Sequence, residues 1–204
     1  VSHGLELVEL LRERFDVDKV YVLGESWGST LGVWMVDRRP DLFHAFFGTG
    51  QMVAFTENDL LCYDFALQLA EERGDTEKVA SLEKQGPPPY SGDDLTWKQA
   101  NYLMYLSDYM ARNPEIHNSG YDTLGELAAP EYGLYDKVNY FRGVVYTFNT
   151  VYQQLWDVDL RESTLTLDVP VYFLEGRHDV NAPPVLAQEY YQQLQAPEKE
   201  FVWF

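Results

Sequence analysis

The part of this sequence best suited to chemistry is a serine between two glycines, in the run Gly24–Gly28 (Gly-Glu-Ser-Trp-Gly). A short apolar, β-branched run, Lys19–Leu23, comes before it, and an apolar stretch that ends at Arg39-Pro40 follows it. This pattern predicts a buried strand, a tight turn at Ser26 and then a helix. Such a nucleophile elbow exposes the serine hydroxyl at the strand tip, and glycines on both sides avoid collisions of a Cβ with the strand and helix. The alternative is an ordinary glycine-rich turn in which Ser26 caps the helix.

A serine hydroxyl is a poor nucleophile until a base takes its proton and a third group orients that base. Asp179 is the candidate for the third group, because it follows a later strand and comes after the serine in chain order. The alternative is that Asp179 caps a turn or pairs with Arg177.

The histidines of the sequence do not supply an evident base. His178 adjoins Asp179, and consecutive residues at a strand end point in different directions. The others are predicted in a helix, at the start of a strand and in a loop: His3, His44 and His117. The order serine, aspartate, histidine requires a histidine after Asp179, and the sequence has none there. We therefore expect the base on a loop beyond strand 199–204, and the 204-residue chain alone to be inactive.

An oxyanion hole needs two N–H donors, and the backbone N–H of Trp27 is a candidate for one, at the positive end of the predicted helix. The second usually comes from a glycine-rich loop upstream, and no such loop precedes strand 19–23. The first residues already follow a helical pattern, and residues 200–204 resemble a strand that is cut short. We expect the chain to be an internal piece of a longer protein.

Strands and helices alternate at both ends of the chain, which predicts an α/β fold with a parallel sheet. The candidate strands are 19–23, 44–48, 170–175 and 199–204. Residues 52–165 instead show helical periodicity with start and stop signals. The predicted helices there begin at Thr56, Thr76, Asp94, Thr123, Leu134 and Asn149. We interpret this block as a helical insertion between two strands of one sheet.

The composition of the chain argues against several classes of binding partner and indicates a cellular compartment. With 33 acidic and 15 basic side chains, the net charge of −18 argues against binding to nucleic acid or to anionic membranes. One cysteine, Cys62, rules out an internal disulfide and fits a reducing compartment. No apolar run has the length of a membrane span, and no signal peptide is evident. We expect a cytoplasmic protein that uses no metal or cofactor.

These motifs resemble those of the α/β-hydrolase fold. The run Gly24–Leu31 with Arg39-Pro40 resembles proline iminopeptidases and their relatives, and Gly176–Asp179 followed by Pro183 resembles the acid loop of that family. The resemblance covers the core pieces, residues 1–51 and 166–204.

The resemblance implies a division of roles. Ser26 would be the nucleophile and Asp179 the acid, while residues 52–165 would form a helical cap that closes over the pocket. The sequence differs from the family in three ways: it lacks the His-Gly-Gly-Pro-Gly type of loop, it lacks the catalytic histidine, and Glu25 stands where a smaller residue is expected.

The resulting hypothesis is a serine hydrolase that works through an acyl-enzyme on Ser26, with a small peptide or amide as substrate. Residues 52–169 hold 20 acidic and 8 basic side chains, which suits a substrate with a free amino group. Glu131 and Asp122 are candidates to bind that amine, and Tyr109 and Tyr140 to line an apolar pocket. The alternatives are an esterase or lactonase for a small uncharged substrate, and a non-catalytic ligand-binding module. The oligomeric state stays open.

Overall fold

A four-stranded parallel sheet organises the computed structural model, which describes residues 1–112 and 127–204. The strands neighbour one another in chain order: β1 (Val20–Glu25), β2 (Phe43–Thr49), β3 (Val171–Glu175) and β4 (Lys199–Trp203). The four strands expected from the sequence are therefore present, with bounds that differ by one or two residues. The predicted parallel α/β architecture is confirmed.

Helices connect the strands, as parallel pairing requires. They are α1 (Ser2–Phe15), α2 (Trp27–Arg38), α3 (Phe55–Glu72), α4 (Thr76–Gln85), α5 (Leu95–Arg112), α6 (Leu134–Val151), α7 (Leu160–Ser163) and α8 (Pro184–Gln193). The prediction of a separate helix that begins at Asn149 is wrong, because Asn149 lies inside α6. The helix predicted from Thr123 lies outside the described residues. None of the helices that the structure describes is long and apolar enough to cross a lipid bilayer.

The centre of the sheet is apolar, as expected for parallel strands covered by helices. Phe46 in β2 pairs with Val171 in β3, and its ring meets the buried ring of Phe173 edge to face at 6.4 Å. Helix α2 packs closely on this layer through Gly32. A Cβ at Gly32 would lie 2.5 Å from the Phe46 ring, so the glycine allows α2 to approach β2 closely.

The chain divides into two compact units. The first consists of Val1–Asn58 and Val158–Phe204 and contains the sheet, whereas the second consists of Asp59–Asp157. Within the first unit, the segments that lead into and out of the second pair with each other, and the Leu160 N–H donates to the Val53 carbonyl at 2.9 Å. The predicted insertion, 52–165, is wider than the second unit, and its role as a cap stays a prediction.

The second unit has a polar centre of its own. The buried Asp59 carboxylate accepts hydrogen bonds from the Gln99 amide at 2.6 Å and from the Tyr152 hydroxyl at 3.1 Å. Burial raises the pKa of Tyr152 well above its ordinary value, and the Asp59 charge raises it further. These partners satisfy a carboxylate that would otherwise be costly to bury.

Candidate active site

Ser26 lies directly between β1 and α2, as the sequence predicts. Its backbone has φ 51° and ψ −124°, a conformation that is strained for a residue with a Cβ. Two neighbours hold this geometry: the Ser26 N–H donates to the Thr49 carbonyl at 3.0 Å, and the Ser26 carbonyl accepts from the Ser29 N–H at 2.9 Å. The side chain of Ser26 is exposed. The strand–serine–helix elbow is confirmed, and the role of Ser26 as nucleophile stays a prediction.

Of the two glycines that flank Ser26, only Gly24 lies so close to other backbone atoms that a Cβ would not fit. A Cβ at Gly24 would lie 2.7 Å from the carbonyl carbon of Gly28 and from the Cα of Ser29, and backbone atoms cannot move aside cheaply. A Cβ at Gly28 would meet nothing within 4 Å. The expectation that both glycines prevent collisions is therefore wrong for Gly28, which lies in the open first turn of α2.

Asp179 lies on the loop after β3, with its carboxylate half-buried. Its Oδ1 accepts hydrogen bonds from the Asn181 N–H at 2.8 Å and the Ala182 N–H at 2.9 Å, which is the turn-capping contact of the alternative interpretation. Burial raises the pKa of Asp179, the two N–H donors lower it, and the charge of Glu25 raises it. The guanidinium of Arg177 lies over the Trp203 ring at 5.3 Å.

Gly50 brings the two predicted catalytic residues together. A Cβ built on Gly50 would lie 3.4 Å from Asp179 Oδ2 and 4.0 Å from the backbone nitrogen of Ser26. Gly50 also has φ +51°, a left-handed conformation that favours glycine. The carboxylate and the elbow thus both lie close to one glycine. The sequence analysis missed Gly50, although two glycines at a strand tip, Gly48 and Gly50, were a signal for it.

Glu175 is a second site residue that the sequence analysis missed. It is the last residue of β3 and is fully buried, and its Oε1 accepts a hydrogen bond from the Gln51 N–H at 3.0 Å. Burial raises the pKa of Glu175 to about 8, the Gln51 N–H lowers it, and the charge of Asp179 raises it. The raised pKa favours the neutral carboxylic acid. The available signal was an acidic residue at the end of an otherwise apolar strand.

Trp27 is the first residue of α2, so its N–H has no acceptor within the helix. This position suits a donor to an oxyanion, because the helix N-terminus is also positively polarised. The indole is partly exposed, at 39%. The assignment of Trp27 to an oxyanion hole stays a prediction.

The histidines fall in different places. His44 lies near the start of β2, where its ring is 4.9 Å from that of Tyr21. It is roughly 16 Å along the strand from Thr49, the residue that contacts Ser26, given the rise of a parallel strand. His3 is exposed on α1, and His178 is exposed next to Asp179. His117 lies outside the described residues.

The predicted substrate-binding residues that the structure describes belong to the second unit. The Tyr109 ring meets Phe65 edge to face at 5.6 Å, and the Tyr140 ring meets Phe141 in the same way at 5.7 Å. Glu131 is exposed just before α6. Asp122 falls in the part of the chain that the structure does not describe. The roles of these residues at the Ser26 site stay predictions.

Within residues 1–112 and 127–204, no group of three or more histidine, cysteine, aspartate or glutamate side chains is arranged to hold a metal ion.

Comparisons with known proteins place this geometry in a wider context. No family model matches the chain. A crystal structure of proline iminopeptidase from Mycobacterium smegmatis superposes with a TM-score of 0.58 at 18% identity, over 95% of this chain and 60% of that one. An α/β fold family hydrolase from Bacillus anthracis str. Sterne superposes with a TM-score of 0.52 at 15% identity, over 100% of this chain and 65% of that one. The chain has the α/β-hydrolase fold.

A curated relative of this α/β-hydrolase-fold chain is the probable aminopeptidase YbaC of Bacillus subtilis. The two are 27% identical over 209 residues, which cover 100% of this chain and 63% of that protein. The chain thus spans about three fifths of the length of the proteins it matches. The similarity to α/β-hydrolase proteins, proline iminopeptidases among them, is confirmed.

Proposed function

We propose that this protein is a serine hydrolase that cleaves acyl bonds through an acyl-enzyme on Ser26. The observation that carries the proposal is the conformation of Ser26, φ 51° and ψ −124° at the junction of β1 and α2, with the Asp179 carboxylate and the Ser26 backbone both close to Gly50. A strained serine that is exposed at a strand tip, next to a carboxylate from a later strand, suits nucleophilic catalysis.

In the proposed reaction, the Ser26 hydroxyl attacks the substrate carbonyl while a histidine takes its proton. Asp179 Oδ2 orients that histidine, and the Trp27 N–H stabilises the oxyanion. An imidazolium beside Asp179 would favour the ionised carboxylate and so counteract the effect of burial on its pKa. The tetrahedral intermediate then collapses: the bond from the carbonyl carbon to the leaving amine breaks, the histidinium gives its proton to that amine, and the acyl group stays on Ser26. Water attacks this ester with the histidine again as the base, and the proton returns to the Ser26 oxygen as the acid leaves.

The base itself is part of the proposal. The sequence has no histidine after His178, and the chain corresponds to 63% of its Bacillus subtilis relative. We place the base in a part of the protein that these residues do not include. A turnover assay on the full-length protein and on the 204-residue chain checks this placement. Turnover by the 204-residue chain that disappears in Ser26→Ala would contradict it.

The substrate that we propose is a small peptide or amide with a free amino group. The similarity to a probable aminopeptidase and to a proline iminopeptidase supports it, and so does Glu25. The Glu25 side chain is exposed, directly precedes Ser26, and forms no hydrogen bond or ion pair with any described residue. Its charge raises the pKa of Asp179, so it lies near the site. A carboxylate at this position would attract an ammonium group.

The test compares an aminoacyl p-nitroanilide with its N-acetylated form on the full-length protein. We expect kcat/KM to be higher for the free amine, and Glu25→Gln to reduce the ratio of the two values by about tenfold, which corresponds to about 1.4 kcal/mol. Glu6→Gln is the matched control, since Glu6 is exposed on α1 and its replacement changes the charge equally. The control should leave the ratio unchanged.

The outcomes separate the alternative functions. Equal hydrolysis of the free and acetylated substrates by the unmodified protein would remove amine recognition and favour an esterase or lactonase. Absence of turnover on anilides and esters, together with absence of labelling by a fluorophosphonate, would favour a non-catalytic binding module.

A further inference from the structure

Three consecutive residues, Thr49–Gln51, link the two halves of the candidate site. The Thr49 carbonyl accepts the Ser26 N–H at 3.0 Å, Gly50 lies close to both the Ser26 backbone and Asp179 Oδ2, and the Gln51 N–H donates to Glu175 Oε1 at 3.0 Å. A shift of this segment would therefore change the position of the elbow relative to the acid.

The segment is held to α2 and to β3 in different ways. At the α2 side, the Met52 N–H donates to Ser29 Oγ at 3.0 Å, and the Met52 carbonyl accepts from Thr30 Oγ1 at 2.9 Å. At the β3 side, the backbone ladder ends at the pair Thr49–Leu174. Beyond that pair, the hydrogen bond from the Gln51 N–H to the Glu175 side chain takes the place of a further backbone hydrogen bond between the two segments.

The Glu175 carboxyl is unusual in its surroundings. The residue is fully buried, and Oε2 has no hydrogen-bond partner among the described residues. Asp179 faces it from the acid loop, Gln51 from the segment after β2, and Trp203 pairs with it from β4. Of these three, Asp179 alone is acidic or basic. A second buried negative charge next to Asp179 would be far more costly than a neutral acid.

We propose that Glu175 is a positioning residue: its buried carboxyl accepts the Gln51 N–H, holds Thr49–Gln51 in place and thereby sets the position of Ser26 relative to Asp179. This inference rests on the proposed function for its effect on turnover. Ionisation of Glu175 at alkaline pH would bring a charge into the buried site, repel Asp179 and loosen the segment. Turnover should then fall as Glu175 loses its proton.

The test measures the pH dependence of kcat for a p-nitrophenyl ester with the full-length protein. Glu175→Gln keeps an acceptor for the Gln51 N–H and cannot ionise, so it should retain kcat at pH 7 within about threefold and lose the fall in kcat near pH 8. Glu175→Leu lacks the acceptor and should lower kcat about ten- to a hundredfold at every pH, with a smaller change in KM. Glu200→Gln, an exposed site on β4, is the matched control and should keep the original pH profile.

A second readout does not depend on activity. Infrared difference spectra between pH 7 and pH 9 should show a protonated carboxylic acid that disappears at the higher pH, and Glu175→Gln should remove this signal. The inference is overturned if Glu175→Gln keeps the fall in kcat, or if the carboxyl is already ionised at pH 7. If Ser26→Ala retains full turnover, the proposed function fails. If Ser26→Ala is inactive while Glu175→Gln matches the unmodified protein at every pH, only this inference fails.

Discussion

The elbow and the acid loop, the two halves of the candidate site, are stabilised by different means. At the elbow, backbone geometry positions Ser26: a strained φ of 51°, a close approach at Gly24 and a hydrogen bond to the Thr49 carbonyl. At the acid loop, a side chain is held by its surroundings, since two N–H groups and burial determine the state of Asp179. Substitutions of the elbow glycines should therefore act on stability, and substitutions in the acid loop on activity and pH dependence.

The largest effect is expected in the acid loop. Asp179→Asn keeps an oxygen acceptor for the Asn181 and Ala182 N–H groups but cannot stabilise an imidazolium, so kcat should fall by about 10³- to 10⁴-fold. The free energy of unfolding at pH 7 should be unchanged or higher, because the buried charge is removed. Steady-state kinetics and urea unfolding measure the two quantities. Asp168→Asn, an exposed site before β3, is the control. Unchanged kcat in Asp179→Asn would exclude Asp179 as the acid.

The elbow should respond in the opposite way, through stability. Gly24→Ala places a Cβ against the backbone of Gly28 and Ser29 and should lower the free energy of unfolding by about 1–3 kcal/mol. Gly28→Ala meets open space within a helix, where alanine is favoured over glycine, and should be neutral or stabilising by up to about 1 kcal/mol. Equal losses in the two variants, measured by urea unfolding, would show that the packing at Gly24 is not as described.

The strands and the elbow could be predicted from the sequence because both are local. The apolar runs of β1 to β4 and the spacing of Gly24 and Ser26 are visible without knowledge of the neighbours. Gly50 and Glu175 could not be predicted in the same way, since their importance depends on which strands lie side by side and on burial. The Gly28 prediction failed because the sequence does not show which face of α2 is open.

Asn149, in the second unit, is another residue whose role depends on a tertiary contact that the sequence pattern does not show. An asparagine before a helical pattern suggests a helix start, since it caps N-termini well. In the structure, its Oδ1 instead accepts hydrogen bonds from the Thr96 N–H at 3.0 Å and the Thr96 hydroxyl at 2.7 Å. This tertiary contact satisfies the side chain, and α6 continues through the position.

The next effect is a dependence of the free energy of unfolding on pH, which arises from Glu175 beside the acid loop. The pKa of Glu175 is raised from 4.5 to about 8, so the folded protein holds a proton that the unfolded chain has released between these values. The free energy of unfolding should therefore fall as the pH rises through this window. Urea unfolding at pH 5 and at pH 8 should show a smaller fall in Glu175→Gln than in the unmodified protein. An identical fall would assign the pH dependence to other groups.

The smallest effect concerns the strain at Ser26. Ser26→Gly removes the Cβ from a positive φ, whereas Ser26→Ala retains it, so the glycine variant should be more stable by about 1 kcal/mol. Both variants lack the hydroxyl and should be inactive. The difference in their free energies of unfolding therefore reports on the backbone strain alone. Equal stability of the two in thermal or urea unfolding would mean that the elbow is not strained.

Covalent labelling of the full-length protein by a fluorophosphonate, with the modified peptide identified by mass spectrometry, tests the role of Ser26 most directly. An activated serine at the junction of β1 and α2 should form one adduct, on Ser26, and Ser26→Ala should abolish it. Ser163→Ala, an exposed serine in α7, should label like the unmodified protein. An adduct on another residue, or labelling that persists unchanged in Ser26→Ala, would contradict the assignment of Ser26 as the nucleophile.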